Sequence, residues 1–279
     1  MSARPSLPRP KKASRILPIS DPGRDCPLCP RLVEYRHAQR KAEPGWFNAP
    51  VPSFGDADAE LLIVGLAPGV RGANRTGRPF TGDFAGELLY GTLIKFGFAT
   101  GVFGADPADG LTLIRTRITN AVRCVPPENK PTPAEIKTCN SYLVNQIAAL
   151  PRLRAIVALG KIAHDATLTA LAARKSANPF GHGAVHYLSF PSPLAGEGGG
   201  TRSVTSDEGA VSRVPSAVVL AEPPPHPALR ATFPRKGGRK EGGIQLFDSY
   251  HCSRYNTNTR VLTPAMFEGV FAAVRAYLA

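Results

Sequence analysis

Residues 60–83 read ELLIVGLAPGVRGANRTGRPFTGD. The first six are a short apolar run closed by glycine, the pattern of a buried strand. A loop rich in glycine and arginine follows and ends at Asp83. There a helical spacing of Leu88, Leu89, Leu93, Ile94 and Phe96 begins. Strand, loop and helix in that order form one unit of an open α/β sheet. Ligands of such sheets bind outside the carboxyl ends of the strands. Gly65, Ala67 and Gly69 keep the backbone accessible. Arg71, Arg75 and Arg78 suit phosphates or base edges, Asn74 adds an amide, and Phe80 offers a stacking face. Asp83 stands where a helix N-cap or a working carboxylate belongs. The loop is no Walker A, because G-x-x-x-x-G-K-[ST] is absent.

The flanking sequence repeats the pattern. Residues 112–122 (TLIRTRITNAV) are β-branched and predict a strand, with Asn120 near its end. Thr132-Pro133-Ala134-Glu135 is a capping box with proline at the first helical position, predicting a helix to about Leu150. Residues 155–159 (AIVAL) predict a second buried strand, followed by a helix from Lys161. Residues 182–190 and 244–250 read as strands. Thr263-Pro264 opens a last helix with Phe267, Val270, Phe271 and Val274 on one face. Apolar strands alternating with helices predict an α/β sandwich around a mainly parallel sheet.

Two segments depart from this pattern. Residues 1–25 hold six basic and two acidic residues with several prolines, and read as a flexible basic arm. Residues 191–243 hold nine Gly and eight Pro with one aromatic, and read as a disordered insertion at a hairpin tip. The single globular domain then spans 26–279 with that interruption. Net charge is +13; +7 of it remains once the arm and the insertion are set aside, pointing to a polyanionic partner. No run of eighteen apolar residues predicts a membrane span, and the N-terminus lacks the apolar stretch of a secretory signal. The expected compartment is the reducing cytosol, where paired cysteines more often mean metal than disulfide.

Cys26-Pro27-Leu28-Cys29 is a C-x₂-C pair, and Cys124 and Cys139 can complete a four-thiolate set. Zinc and iron–sulfur clusters both accept four cysteines, and spacing alone does not choose between them. Residues 248–259 (DSYHCSRYNTNT) follow a strand and offer His251, Ser253, Arg254 and Asn256, groups suited to phosphate contact. A DNA-acting enzyme, a metal-stabilised DNA-binding module and an electron-transfer protein all remain compatible with these residues.

The long 65–83 motif, the TNAVRC segment at 119–124 and the DSYHCSRYNTNT segment, in that order, resemble the uracil-DNA glycosylase superfamily. The nearest branch is family 5, which carries iron–sulfur. The resemblance implies a three-layer α/β/α fold. It implies flipping and excision of uracil, and of hypoxanthine and xanthine, from DNA by a monofunctional, monomeric enzyme at the cytoplasmic nucleoid. It implies one structural [4Fe–4S] cluster per chain on Cys26, Cys29, Cys124 and Cys139. It assigns catalysis to Asp83, with Asn120 and His251 assisting and Phe80 stacking on the extruded base. Other branches carry a carboxylate at the positions of Leu66 or Ala67, so here that loop cannot activate water. Cys252 stands where many members have proline, and has no assigned role.

Overall fold

The computed structural model describes residues 20–188 and 243–279. Most of the expected arm and nearly all of the expected insertion lie outside the described residues. In chain order the elements are α1 (Pro30–Ala42), β1 (Phe54–Gly55), β2 (Leu61–Gly65), α2 (Ala73–Thr76), α3 (Phe84–Lys95), β3 (Ala99–Thr100) and β4 (Thr112–Leu113). They continue as β5 (Thr116–Asn120), α4 (Pro133–Ala149), β6 (Ala155–Leu159), α5 (Lys161–Ala170), β7 (Val185–Leu188), β8 (Ile244–Ser249), α6 (Arg254–Asn258) and α7 (Pro264–Leu278).

Six strands form one sheet in the order β1-β5-β2-β6-β8-β7. The four central strands are parallel, and β1 and β7 close the edges antiparallel. Every residue of β2, β5 and β6 is buried, as a strand covered on both faces requires. Alternation divides the core in two. Leu61, Ile63, Ala155 and Val157 pack with Leu89 and Leu93 of α3 and with Phe267 and Phe271 of α7. Leu62, Val64, Ile156 and Ala158 pack with Leu143 and Ile147 of α4 and with Ala163 of α5. The result is a three-layer α/β/α sandwich.

β2 connects through α3 on one face to β5, and β5 through α4 on the other face to β6, on β2's opposite side. The chain therefore reverses direction at β2, and its carboxyl end is the topological switch point where a ligand crevice forms.

Three expectations change. The strand predicted over 112–122 breaks into β4 and β5, because Arg115 turns at a φ of 46° and its carbonyl accepts from Glu60 N–H at 2.8 Å. The strand predicted from 182 begins at Val185; Gly183 turns at a φ of 77°. The end of the expected arm is held to the core: Pro22 is buried, and the Asp21 carboxylate accepts from Ser53 Oγ at 3.1 Å and pairs with Arg123. Leu188 pairs with Ile244 in the β7–β8 ladder, so the intervening segment joins adjacent strand ends of one hairpin.

Candidate active site

A cavity of about 560 Å³ opens at the carboxyl ends of the strands, lined by the loop after β2, the start of α3, Asn120 and the segment after β8. The structure brings together Ala67, Gly69, Phe80, Asp83, Asn120, His251, Ser253 and Arg254 on its walls. Gly65, at the last position of β2, lies beneath them. A Cβ there would collide with Asn120 Oδ1 and fall 2.6 Å from Phe80 Cζ, so only glycine admits both side chains.

Phe80 takes a left-handed φ of 55°, a strained choice for a bulky residue, and points its ring into the cavity wall. Its amino side is held by α3, because Tyr90 Oη donates to the Pro79 carbonyl at 2.7 Å. The Phe80 and His251 rings stack with centroids 6.1 Å apart at 29°. The Phe80 ring offers an apolar face to a planar heterocycle, with the His251 ring beside it.

Asp83 caps α3, its Oδ1 accepting from Gly86 N–H at 3.1 Å. Its other oxygen borders Gly72, where a Cβ would lie 2.9 Å away. The residue opens to solvent through the cavity mouth, yet the walls around its carboxyl raise its pKa above the usual aspartate value. The capping bonds oppose that rise only in part. Burial alone lowers the His251 pKa to about 4, so its imidazole is neutral at pH 7. The Asn120 amide is buried, and its Oδ1 is without a hydrogen-bond partner among the described residues. An orphaned acceptor on a cavity wall is a feature of a site that awaits a ligand or water.

Other expected contacts fall elsewhere. Arg71 and Arg75 are exposed on the loop, outside the cavity lining. Arg78 is not a phosphate ligand. It is buried and forks onto Asp109 at 2.8 and 2.7 Å, with its guanidinium over the rings of Phe54, Tyr90 and Phe103. Asn74 is 1% exposed and donates to Asn48 Oδ1 at 2.9 Å, pinning the loop rather than facing the cavity. Asn256 Nδ2 donates to the His251 carbonyl at 2.8 Å and so orients the histidine. Cys252 packs against α3, its thiol donating to the Ala85 carbonyl at 3.5 Å, far from the other cysteines in the core. The sequence reading missed Phe84, Pro68 and Asn129 on the wall. Asn129 lies in the loop after β5, and the rule that strand-end loops line the crevice was the signal for it.

Cys26, Cys29, Cys124 and Cys139 line a second, small cavity between α1 and α4. Cys29 is the residue before Pro30 at the start of α1, and Cys139 lies on α4. Burial pushes the Cys29 and Cys124 thiols up to about 11 and Cys139 to about 12. The two cavities are joined by backbone: Ala121 N–H donates to the Gly65 carbonyl at 2.9 Å and Val122 N–H to Leu66 at 3.0 Å. Ala67 lines the first cavity and packs on the cysteine cluster of the second.

A profile of the family described as the Uracil DNA glycosylase superfamily matches residues 52–275. A type-5 uracil-DNA glycosylase of Thermus thermophilus is 40% identical over 248 residues, covering 87% of this chain and 89% of its own. A type-5 enzyme of Mycobacterium leprae is 44% identical over 255 residues, 88% of each chain. A type-4 uracil-DNA glycosylase of Archaeoglobus fulgidus is 40% identical over 114 residues, 40% of this chain and 49% of its own. Sheet order, crevice and these matches agree, and the chain belongs to the uracil-DNA glycosylase superfamily.

Proposed function

We propose that this protein excises uracil from DNA by hydrolysing the N-glycosidic bond and leaving an abasic site. The observation that carries this reading is the meeting of Asp83, Asn120, His251 and Phe80 on one cavity at the sheet's switch point. A base inside a duplex is out of reach of such a cavity, so its nucleotide must be extruded, at a cost of a few kcal/mol. The Phe80 ring replaces part of the stacking that is lost. Gly69 leaves the loop backbone open to the extruded nucleotide, and Ser253 and Arg254 stand at the mouth to meet its phosphates.

As the glycosidic bond breaks, the electron pair leaves with the base and positive charge develops on the sugar. Ionised Asp83 stabilises that charge, orients a water for attack at the anomeric carbon and accepts the proton that the water gives up, while the departing base anion takes a proton from solvent. Neutral His251 donates a hydrogen bond to the developing anion of the base, and needs no charge of its own to do so. Asn120 completes the contact with the base edge. Hypoxanthine and xanthine share the planar shape and an acceptor oxygen, and are substrates on the same reading.

The four cysteines near α1 fit an iron–sulfur cluster. All four line one cavity, and four cysteine thiols are the donor set that a [4Fe–4S] cluster takes. Cys26, Cys29, Cys124 and Cys139 would hold a [4Fe–4S] cluster, which would supply structural crosslinking between 26–29, 124 and α4 beside the loop that carries Leu66 and Ala67. The chain's own residues carry every step of the reaction.

Single-turnover assays on oligonucleotides containing uracil, hypoxanthine or xanthine, single- and double-stranded, test the proposal. Release of free base with an abasic product is expected. Binding without release overturns the reading and leaves a non-catalytic DNA-binding protein.

A further inference from the structure

Among the described residues the three most buried arginines are Arg123, Arg36 and Arg78, at 1, 2 and 4% exposure. Arg78 pairs with Asp109 and Arg123 with Asp21. Arg36 has no carboxylate partner among the described residues. Asp25, the nearby acid whose pKa it helps lower, is exposed and bonded to Arg40 at 2.6 Å. An isolated buried guanidinium is strongly destabilising, so its persistence calls for an anion in contact. Its contacts are specific. Nη2 donates to the Cys26 carbonyl at 3.0 Å, Nη1 reaches Cys124 Sγ at 3.7 Å, and Nε is buried without a partner. The side chain thus clamps two segments of the cysteine cavity, and the groups there that can carry negative charge are the thiols.

We propose that Arg36 is the counter-charge of the four-cysteine centre, present to offset the net negative charge that a metal–thiolate cluster brings into a dry cavity. This rests on the reading of Cys26, Cys29, Cys124 and Cys139 as cluster ligands. Four thiolates and a [4Fe–4S]²⁺ core sum to −2. Arg123, also on the cavity wall, already shares its charge with Asp21, so Arg36 supplies the uncancelled positive charge. One-electron reduction takes the centre to −3, with the electron taken from the external reductant of a titration. A neighbouring cation favours that reduced form, and hydrogen bonds to the sulfurs shift the potential the same way.

The test compares wild type, Arg36→Lys and Arg36→Met purified under anaerobic conditions. Iron and acid-labile sulfide per chain and the midpoint potential are measured on each. Arg36→Met is expected to hold less iron and sulfide, and what cluster it keeps to reduce at a more negative potential. Arg36→Lys is expected to stay close to wild type in both. Wild-type content and potential in Arg36→Met overturn the proposal. If Arg36→Met yields no folded protein, Arg36→Lys decides: loss of its cluster overturns the charge role, and retention supports it. Wild-type protein lacking iron and sulfide sinks the cluster reading itself, and that failure is recognised on the wild type alone.

Discussion

Asp83 carries two roles that pull in different directions. As the cap of α3 it needs only an oxygen that accepts from Gly86. As a charge beside the sugar it must stay ionised where the cavity walls push its pKa up. The raised pKa means that the folded state binds a proton more tightly than the unfolded chain. Ionised Asp83 therefore opposes folding at pH 7, and the opposition fades as pH falls through the raised value. Asparagine caps as well as aspartate. Asp83→Asn should unfold at a higher temperature than wild type at pH 7, with the gain shrinking in acid. Its single-turnover excision should fall about 10²–10⁴-fold with DNA affinity little changed. Wild-type excision by this variant removes Asp83 from the chemistry. His251 and Asn120 were likewise legible as residue types at strand ends. Their environments were not, because burial of an imidazole and an unpartnered amide depends on Gly65, Phe80 and Asn256 packing around them.

α4 shows which elements local sequence can specify. Thr132 accepts from Glu135 N–H at 3.3 Å and Glu135 accepts from Thr132 N–H at 2.7 Å, the reciprocal pair that the TPAE sequence predicts. Glu135 also takes a fork from Arg31 of α1, both bonds at 2.8 Å, so the cap joins the two helices that hold Cys29 and Cys139. Thr132→Ala should lower unfolding stability by about 1 kcal/mol in urea titration. Excision at low temperature should be retained, since no residue of α4 lines the first cavity. Abolished excision in folded Thr132→Ala protein contradicts that separation. α1 itself went unread because its only buried residues are Leu32 and Arg36, too few to print a periodic apolar face. The break between β4 and β5 went unread for another reason. Arg115 is an ordinary residue in a β-branched run, and its turn is imposed by pairing with the start of β2. Capping is written in four adjacent residues, whereas a turn enforced from across the sheet is not.

At the scale of the whole molecule, the charge excess divides by burial rather than by sequence position. Arg71, Arg75 and Arg78 look equivalent within eight residues of one loop, but two are exposed and one is sealed against Asp109. Exposed guanidinium groups on the loop after β2 can release counterions from DNA, each phosphate contact contributing about 0.9 to the slope of log K against log salt on duplex. A buried guanidinium cannot contribute to that slope. Removing it instead leaves the Asp109 carboxylate, held well below the usual range by Arg78, buried and unpaired. Arg71→Ala should therefore reduce the salt slope of DNA binding by about 0.9 and leave the unfolding temperature unchanged. Arg78→Ala should leave the slope intact in whatever protein folds and destabilise it by about 3–5 kcal/mol, the scale of a broken buried pair. Binding isotherms at several salt concentrations, with thermal unfolding of the same preparations, separate the two. A lowered slope in Arg78→Ala at wild-type stability would place that side chain on the DNA and dismantle the structural role that its burial assigns.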